Sequence, residues 1–478
     1  MSIHLKMLHR GLLCCVIMMG VGAGCRSVSQ MPSTMLPVSP APDSARARYV
    51  FLFIGDGMGA NQRLLAEIVS NGTNSPAPAD YHQLVMNRFP VIGLVNTRSA
   101  DSWITDSAAA GTAIACGRKT DNHVIAMDPA KVHSWASLAD TARGAGMKVG
   151  LATTVELDDA TPSVFCAHAS DRSRHPLIAR QMMSSPVEFL AGNTFADSYR
   201  VAEDAAKASG RRVIGTPADL AALTPAAGRV WVVPRDTEKD GSQPYSVDRG
   251  ESNPEFSLAA LTAAGIRSLD NSKGFFFMVE GGKIDWACHA NDAASEVGDV
   301  LALDRAIAVA VDFYRKHPAE TLILVTADHE TGGLALGRND TGYKLHPEFI
   351  AGQKCGAIKL GAKIRAWRAA SRTFDQVLAN LKTEWLDFGS LSARERANVL
   401  KAYDAAGQSG GETKEGSFDP LVSACLELSA GRAGIAWTSH AHSASAVPVT
   451  ALGAGQNRFT GWIDNTELSH RISGLLAP

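Results

Sequence analysis

Three acidic residues stand where an apolar run ends: Asp56 after YVFLFIG, Glu280 after GFFFMV and Asp328 after TLILVTA. Carboxylates gathered in one crevice lose hydration and repel one another, so burying three together is very unfavourable unless cations share them. A second set suits a borderline transition metal. Asp285 and His289 are four apart in IDWACH, a spacing that places both on one helix face. His329 follows Asp328, and His442 lies in the late HAHSASAVPV stretch. Each is weak alone, because an Asp-x-x-x-His pair arises often by chance and more usually has a structural role. Ser107, in TDSAAAGTA, is the candidate nucleophile. The alanines after it are strong helix formers, which predicts Ser107 at a helix N-terminus, where backbone N–H groups and the positive dipole end favour an anionic substrate. Without the metal-type residues the same serine reads as a helix cap.

Residues so far apart in the chain need a scaffold that gathers them. Short β-branched or aromatic runs (YVFLFI, VIGLV, MKVGLATTV, GFFFMVEG, TLILVTAD) alternate with helical patterns. This alternation predicts an α/β fold with a large, mostly parallel central sheet flanked by helices. Ligands of such sheets bind beyond the carboxyl ends of the strands, where Asp56, Glu280 and Asp328 fall. Before TLILVTAD, the residues Val297, Val300, Leu301, Leu303, Ile307, Val311 and Tyr314 recur at largely helical spacing and predict a helix feeding that strand. From about 339 to 433 the alternation gives way to short helical stretches, read as a helical cap insertion. Within it, Ser392 and Glu395 have capping-box spacing, and GQSGGETKEGS is a loop without apolar content.

The bulk composition is that of a folded enzyme rather than a disordered or fibrous chain: 478 residues, 45% hydrophobic and 20% charged. A net charge of -2 with scattered basic residues excludes the basic stripe of a dedicated nucleic-acid binder. Lys6 and Arg10 precede an apolar run, 11–24, that is too short to span a bilayer comfortably, so residues 1–25 read as an export signal. The run ends in Ala23-Gly24-Cys25, similar to a lipoprotein cleavage box except for Gly22 in place of the usual Leu. A lipid anchor at Cys25 and plain cleavage are both open, giving a periplasmic, membrane-anchored or secreted product. Residues 26–47, rich in Ser and Pro, read as a flexible tether, and 48–478 as the catalytic domain. Of eight cysteines, three lie in or at the end of the signal. The remaining odd number, Cys116, Cys166, Cys288, Cys355 and Cys425, argues against a full disulfide framework. Cys355 with Cys425 is the pair to test, and five buried thiols fit equally well.

The motifs GDGMG (55–59), TDSAAAGTA, ELDDATP (156–162), AHASDR (167–172), VEGGKIDWACHAND, VTADHETGG and HSASAVPV, in that order and spacing, resemble the alkaline phosphatase family. The resemblance covers most of the chain from about residue 49, the helical insertion excepted, and so many motifs together are highly specific. It implies an alkaline phosphatase-like fold and hydrolysis of phosphate monoesters through a phosphoserine on Ser107, at a site with two zinc ions (Zn2+) and one magnesium ion (Mg2+). Carried over by position, it implies Asp285, His289 and His442 for the first zinc, and Asp56, Asp328 and His329 for the second. Asp56, Asp159, Thr161 and Glu280 then form the magnesium site. Arg172 matches the arginine that grips two phosphate oxygens, a task suited to its planar fork.

His440 rivals His442 as ligand, but His442 heads the HxxxxVPV pattern. His123 and His168 match no ligand and read as structural, while Asp106 reads as a holder of the local backbone and Arg172. Trp286 departs from relatives that carry Lys at this substrate-binding position, which implies looser phosphate binding. Two alternatives remain: a phosphodiesterase or sulfatase of the same fold, and a surface protein that binds phosphate without turnover. The serine motif with Arg172 favours a monoester dianion. A homodimer is open, and the same ligand set also accepts cobalt.

Overall fold

The computed structural model describes residues 46–72, 81–195, 197–234, 241–249, 254–405 and 419–476. The export signal, nearly all of the tether, the Cys25 site and the GQSGGETKEGS loop lie outside the described residues. The strands are β1 (Tyr49–Gly55), β2 (Val91–Asn96), β3 (Lys148–Glu156), β4 (Phe189–Asn193), β5 (Arg212–Ile214), β6 (Val230–Val232), β7 (Phe275–Gly281), β8 (Thr321–Thr326), β9 (Glu330–Thr331), β10 (Ala335–Leu336), β11 (Ile435–Ala436), β12 (His442–Ser443), β13 (Val447–Gly453) and β14 (Gly461–Asp464).

Ten of them form one sheet in the order β14-β2-β13-β8-β1-β7-β3-β4-β6-β5. Only β13 runs against its neighbours, β2 and β8; the other pairings are parallel. The sheet is therefore mostly parallel and helix-flanked, as the alternation of runs predicts. Strands β1, β7 and β8 are buried at every position, which is why their sequences read as unbroken apolar runs rather than alternating ones. Aromatic rings fill the space beneath them: Phe51 meets Phe275 edge-on at 5.2 Å between ring centroids, and Tyr49 meets Phe313 of the Ala293–Tyr314 helix at 4.9 Å. β2 instead alternates buried and exposed positions, the pattern of a strand with one face toward solvent.

The register brings the acids together. Ile54 of β1 pairs with Glu280 of β7 on one side and with Thr326 of β8 on the other. Asp56, Glu280 and Asp328 thus end three adjacent strands at nearly the same level. The chain leaves the sheet after β8, and β10 pairs antiparallel with β11 where it returns. Between those points lie the helices Glu348–Ala351, Ala357–Ala369, Phe374–Glu384, Ala393–Ala405 and Pro420–Ala433. They pack on an apolar cluster of their own that includes Trp367, Leu381, Trp385, Val422 and Cys425. Cys355 and Cys425 are both buried there as unpaired thiols, so the candidate bridge between them is not formed. Beside the β10/β11 ribbon, β12 pairs antiparallel with β9, placing His442 opposite Thr331.

Candidate active site

Ser107 is the first residue of the Ser107–Cys116 helix. Its predecessor Asp106 is the cap, accepting a hydrogen bond from Ala109 N at 3.0 Å. The serine hydroxyl is thereby spared from capping. The helix is buried along Ser107–Ala115, and its small residues allow close approach: a Cβ on Gly111 would sit 3.2 Å from Val164 Cγ2. Gly57, in the turn after β1, has φ +69°, and a Cβ there would sit 2.8 Å from both Asp285 Oδ1 and Thr331 Oγ1. Only glycine fits. Its N–H donates to Asp328 Oδ1 at 3.2 Å, and its carbonyl accepts from Thr331 N at 3.2 Å.

The imidazoles are oriented by their neighbours. His442 Nδ1 lies 2.8 Å from Thr105 O, and His289 Nδ1 lies 2.5 Å from His440 O. A carbonyl accepts only, so each Nδ1 carries the proton and each Nε2 presents a lone pair. These two Nε2 atoms are 3.1 Å apart. Asp285 approaches them with Oδ2 at 3.3 Å from His289 Nε2 and Oδ1 at 3.7 Å from His442 Nε2. His329 follows the same logic: Thr331 Oγ1 donates to Asp285 Oδ1 at 2.5 Å and accepts from His329 Nδ1 at 3.2 Å. The lone pair of His329 Nε2 then faces Asp56 Oδ1 at 3.4 Å, Asp328 Oδ2 at 3.2 Å and Ser107 Oγ at 3.1 Å.

Lone pairs pointed at lone pairs repel, and a cation between them removes the repulsion. Asp56 Oδ1, Glu280 Oε1 and Asp328 Oδ2 are buried with no hydrogen-bond partner, the condition expected of oxygens shaped for metal ions. The donor sets therefore fit divalent cations. Among the described residues, ligand atoms of Asp285, His289 and His442 lie within 4.8 Å of one another, and so do those of Asp56, Asp285 and His329. In the second set Asp285 stands beside His329 where the family pattern implies Asp328, although Asp328 is also within 3.2 Å of that imidazole. A third group adjoins: Thr161 Oγ1 donates to Asp56 Oδ2 at 3.3 Å, and Thr153 Oγ1 to Glu280 Oε2 at 2.5 Å.

Electrostatics repeat the message. Burial, then repulsion from Asp328, Asp285 and Glu280, pushes Asp56 far above the usual carboxylate range. Glu280 is raised chiefly by burial, and Asp328 is pushed to about 7 by burial and then by Asp285. Burial and the nearby His442 depress His329. For Asp285 burial is opposed and outweighed by His289, His442 and His329, so its carboxyl stays well below the usual range. The negative potential that hinders ionisation of these acids also attracts a divalent cation.

Arg172 faces this seam. Its Nη1 donates to Asp106 Oδ2 at 3.2 Å and its Nη2 to Asp159 Oδ1 at 2.8 Å. Burial opposes its charge, but Asp159 and Asp106 outweigh that effect and raise its pKa further. Asp159 also caps the Ala160–Ser163 helix. Ser107, Asp159, Arg172, Asp285, Trp286, His289 and His442 all line one open cavity of about 790 Å³. His440 also lines it, with Nδ1 2.8 Å from His289 O, but among the described residues it belongs to neither group of converging ligand atoms. His123, at φ +72°, stands at the rim with Nδ1 3.5 Å from Asp106, whereas His168 bonds to Ala126 O.

Sequence reasoning passed over several residues. Thr331 sets the His329 tautomer. Glu330 accepts from Gln62 Nε2 at 2.8 Å and from the Ser443 hydroxyl, clasping the His442 segment to β9. Both lie in VTADHETGG, whose chemistry was read only from its Asp and His. Phe195 and His175 also line the cavity, and no local pattern marks them.

Comparison with known proteins agrees with this geometry. The family profile described as alkaline phosphatase matches residues 47–187 and 204–477. Alkaline phosphatase 4 of Bacillus subtilis (strain 168) is 30% identical over 477 residues, covering 96% of this chain and 95% of the relative. The repressible alkaline phosphatase of Saccharomyces cerevisiae is 29% identical, covering 91% of this chain and 82% of the relative. The crystal structure of a cold-active alkaline phosphatase from the psychrophile Shewanella sp. superposes with a TM-score of 0.76 at 27% identity, covering 90% of this chain and all of the other (100%).

Proposed function

The chain belongs to the alkaline phosphatase family, a metal-dependent family of phosphomonoester hydrolases, and we propose that Ser107 is its nucleophile. We assign Asp285, His289 and His442 to a first zinc ion, Asp56, Asp328 and His329 to a second, and Asp56, Asp159, Thr161 and Glu280 to a magnesium ion. When bound, such ions make the serine hydroxyl more acidic and neutralise charge on the entering and departing oxygens.

Arg172 holds two non-bridging phosphate oxygens. Each of its terminal nitrogens carries a second N–H beyond the one given to Asp106 or Asp159, and those two acids fix the fork in place. The helix beginning at Ser107 adds the positive end of its dipole. Ser107 Oγ releases its proton to solvent water and attacks phosphorus opposite the ester oxygen; the O–P bond to serine forms as the bond to the ester oxygen breaks, and the released alkoxide takes up a proton from solvent. A water then attacks the phosphoserine from the vacated side, the serine–phosphorus bond breaks, and phosphate leaves as Ser107 regains its proton. Trp286 offers no charge to the departing phosphate, which supports weaker product binding than Lys would give at that place.

The observation that carries this reading is Ser107 Oγ, at a helix start, 3.1 Å from a His329 nitrogen that already faces two carboxylate oxygens. The test is hydrolysis of an aryl phosphate monoester beside the matching diester, with zinc and magnesium added or chelated. Fast, chelator-sensitive monoester cleavage is expected; preference for the diester, or no cleavage by the metal-replete enzyme, overturns it. Export, with a lipid at Cys25 or without, rests on residues 1–25 alone. Among the described residues no helix is long and apolar enough to cross a membrane.

A further inference from the structure

The cavity above Ser107 is far larger than a phosphoryl group needs. At about 790 Å³ this open cavity has room for an organic ester group beside the phosphate. Two aromatic surfaces lie in its wall. One is the ring pair of His175 and Phe195, whose centroids are 4.0 Å apart at 50°. Both residues are tethered to Asp158, His175 through Nδ1 to the carbonyl at 3.1 Å and Phe195 through its N–H to Oδ1 at 3.0 Å. Asp158 is fully buried and precedes Asp159, which holds Arg172, so the ring pair is fixed relative to the phosphate-gripping guanidinium. The second surface is Trp286. Its ring lies 4.4 Å from Lys283 Nζ, an ammonium buried against the Tyr245 ring at 4.1 Å and bonded to Ser242 Oγ at 3.1 Å. A cation set on an indole face restrains the ring.

Building on the phosphomonoesterase reading, we propose that the His175–Phe195 pair, with Trp286, forms a subsite for a flat aromatic ester group. The enzyme then prefers aryl over alkyl phosphate monoesters by more than the acidity of the departing alcohol explains. Rigid aromatic walls favour flat, polarisable groups through stacking and edge contacts while losing little side-chain freedom. His175 contributes to the platform and takes no proton-transfer role.

The experiment compares kcat/KM for 1-naphthyl phosphate and for sn-glycerol 3-phosphate in the wild-type enzyme, Phe195→Ala, Phe195→Tyr and His175→Ala. Using each enzyme's naphthyl-to-glycerol ratio cancels the intrinsic reactivity of the two esters. The ratio is expected to fall about fivefold or more in Phe195→Ala, to fall less in His175→Ala, and to be retained in Phe195→Tyr. A ratio in Phe195→Ala within about twofold of the wild-type value overturns the subsite, as does an equal fall in Phe195→Tyr. If the wild-type enzyme hydrolyses neither ester, the phosphomonoesterase reading fails, and calorimetric binding of benzylphosphonate against propylphosphonate decides the subsite. A benzyl preference that Phe195→Ala abolishes supports it, and no preference overturns it.

Discussion

The seam at the ends of β1, β7 and β8 and the helical insertion are stabilised in opposite ways. In the seam, carboxylate oxygens of Asp56, Glu280 and Asp328 are buried without hydrogen-bond partners, and lone pairs of His289, His329 and His442 face other acceptors. In the insertion, Trp385 and Leu381 are buried in an apolar cluster. Trp385 Nε1 and Arg368 Nε are buried there without a hydrogen-bond partner, but among the described residues no carboxylate oxygen of the insertion is; Arg432 grips Glu395 through two bonds of 2.6 and 2.8 Å, holding that carboxyl down to about 2, with further help from Ser392. Thr373 with Gln376 closes a capping box. The described part of the insertion is held by apolar packing and paired charges, whereas the seam gathers unpartnered carboxylate oxygens of a kind that cations satisfy. Local frustration of this kind marks the part of a fold kept for function.

Four substitutions sharpen or break that contrast. Ser107→Ala should reduce turnover by about a thousandfold or more while zinc content, read by elemental analysis, stays at the wild-type level. Near-normal turnover would remove the serine from the mechanism. Trp385→Ala is the converse: a large cavity in the second core should destabilise the insertion by about 3–5 kcal/mol. Hydrogen exchange should then rise in the Ala357–Ala369 and Phe374–Glu384 helices while metal content is kept. Loss of metal in that variant would show that the two regions are not independent. Arg172→Ala should raise the inhibition constant of phosphate about 10- to 100-fold and leave measurable activity; an unchanged constant would contradict its gripping role.

The smallest effect concerns Asp304, a buried acid outside the seam that does have donors, Val85 N and Met86 N, each at 2.9 Å. Burial raises it to about 6. The folded protein therefore keeps a proton that the unfolded chain releases above its ordinary value near 3.8, so stability from this group is present at low pH and is lost as pH rises through about 6. Asp304→Asn cannot accept both backbone N–H groups and should cost about 1–2 kcal/mol. Thermal unfolding between pH 4 and 7 should also become flatter than in the wild-type protein. A steeper profile would assign the titration to another group.

Much of this organisation was legible in the sequence because burial on both faces leaves a plain trace. β1, β7 and β8 are unbroken apolar runs, and an acid at the end of such a run stands out. The Asp285–His289 spacing likewise implied one helix face, and both residues do share the Lys283–Ala290 helix. Three-residue strands such as β5 and β6 carry too few positions for a pattern. The approach of His442 to His289 depends on the two-residue pairing of β9 with β12 across the whole insertion, and no local pattern encodes it. Thr331, Glu330, Phe195 and His175 escaped for a related reason: a single hydroxyl, acid or ring gains meaning only from what the fold sets beside it.

The most direct test of the central claim is acid quenching of the metal-replete enzyme during turnover of a phosphate monoester, followed by mass spectrometry of the peptide containing Ser107. The account predicts one added phosphoryl group on Ser107, absent when substrate is omitted and absent in Ser107→Ala. Steady turnover with the phosphoryl group on another residue, or with an unmodified Ser107 at every quench time and pH, would contradict it.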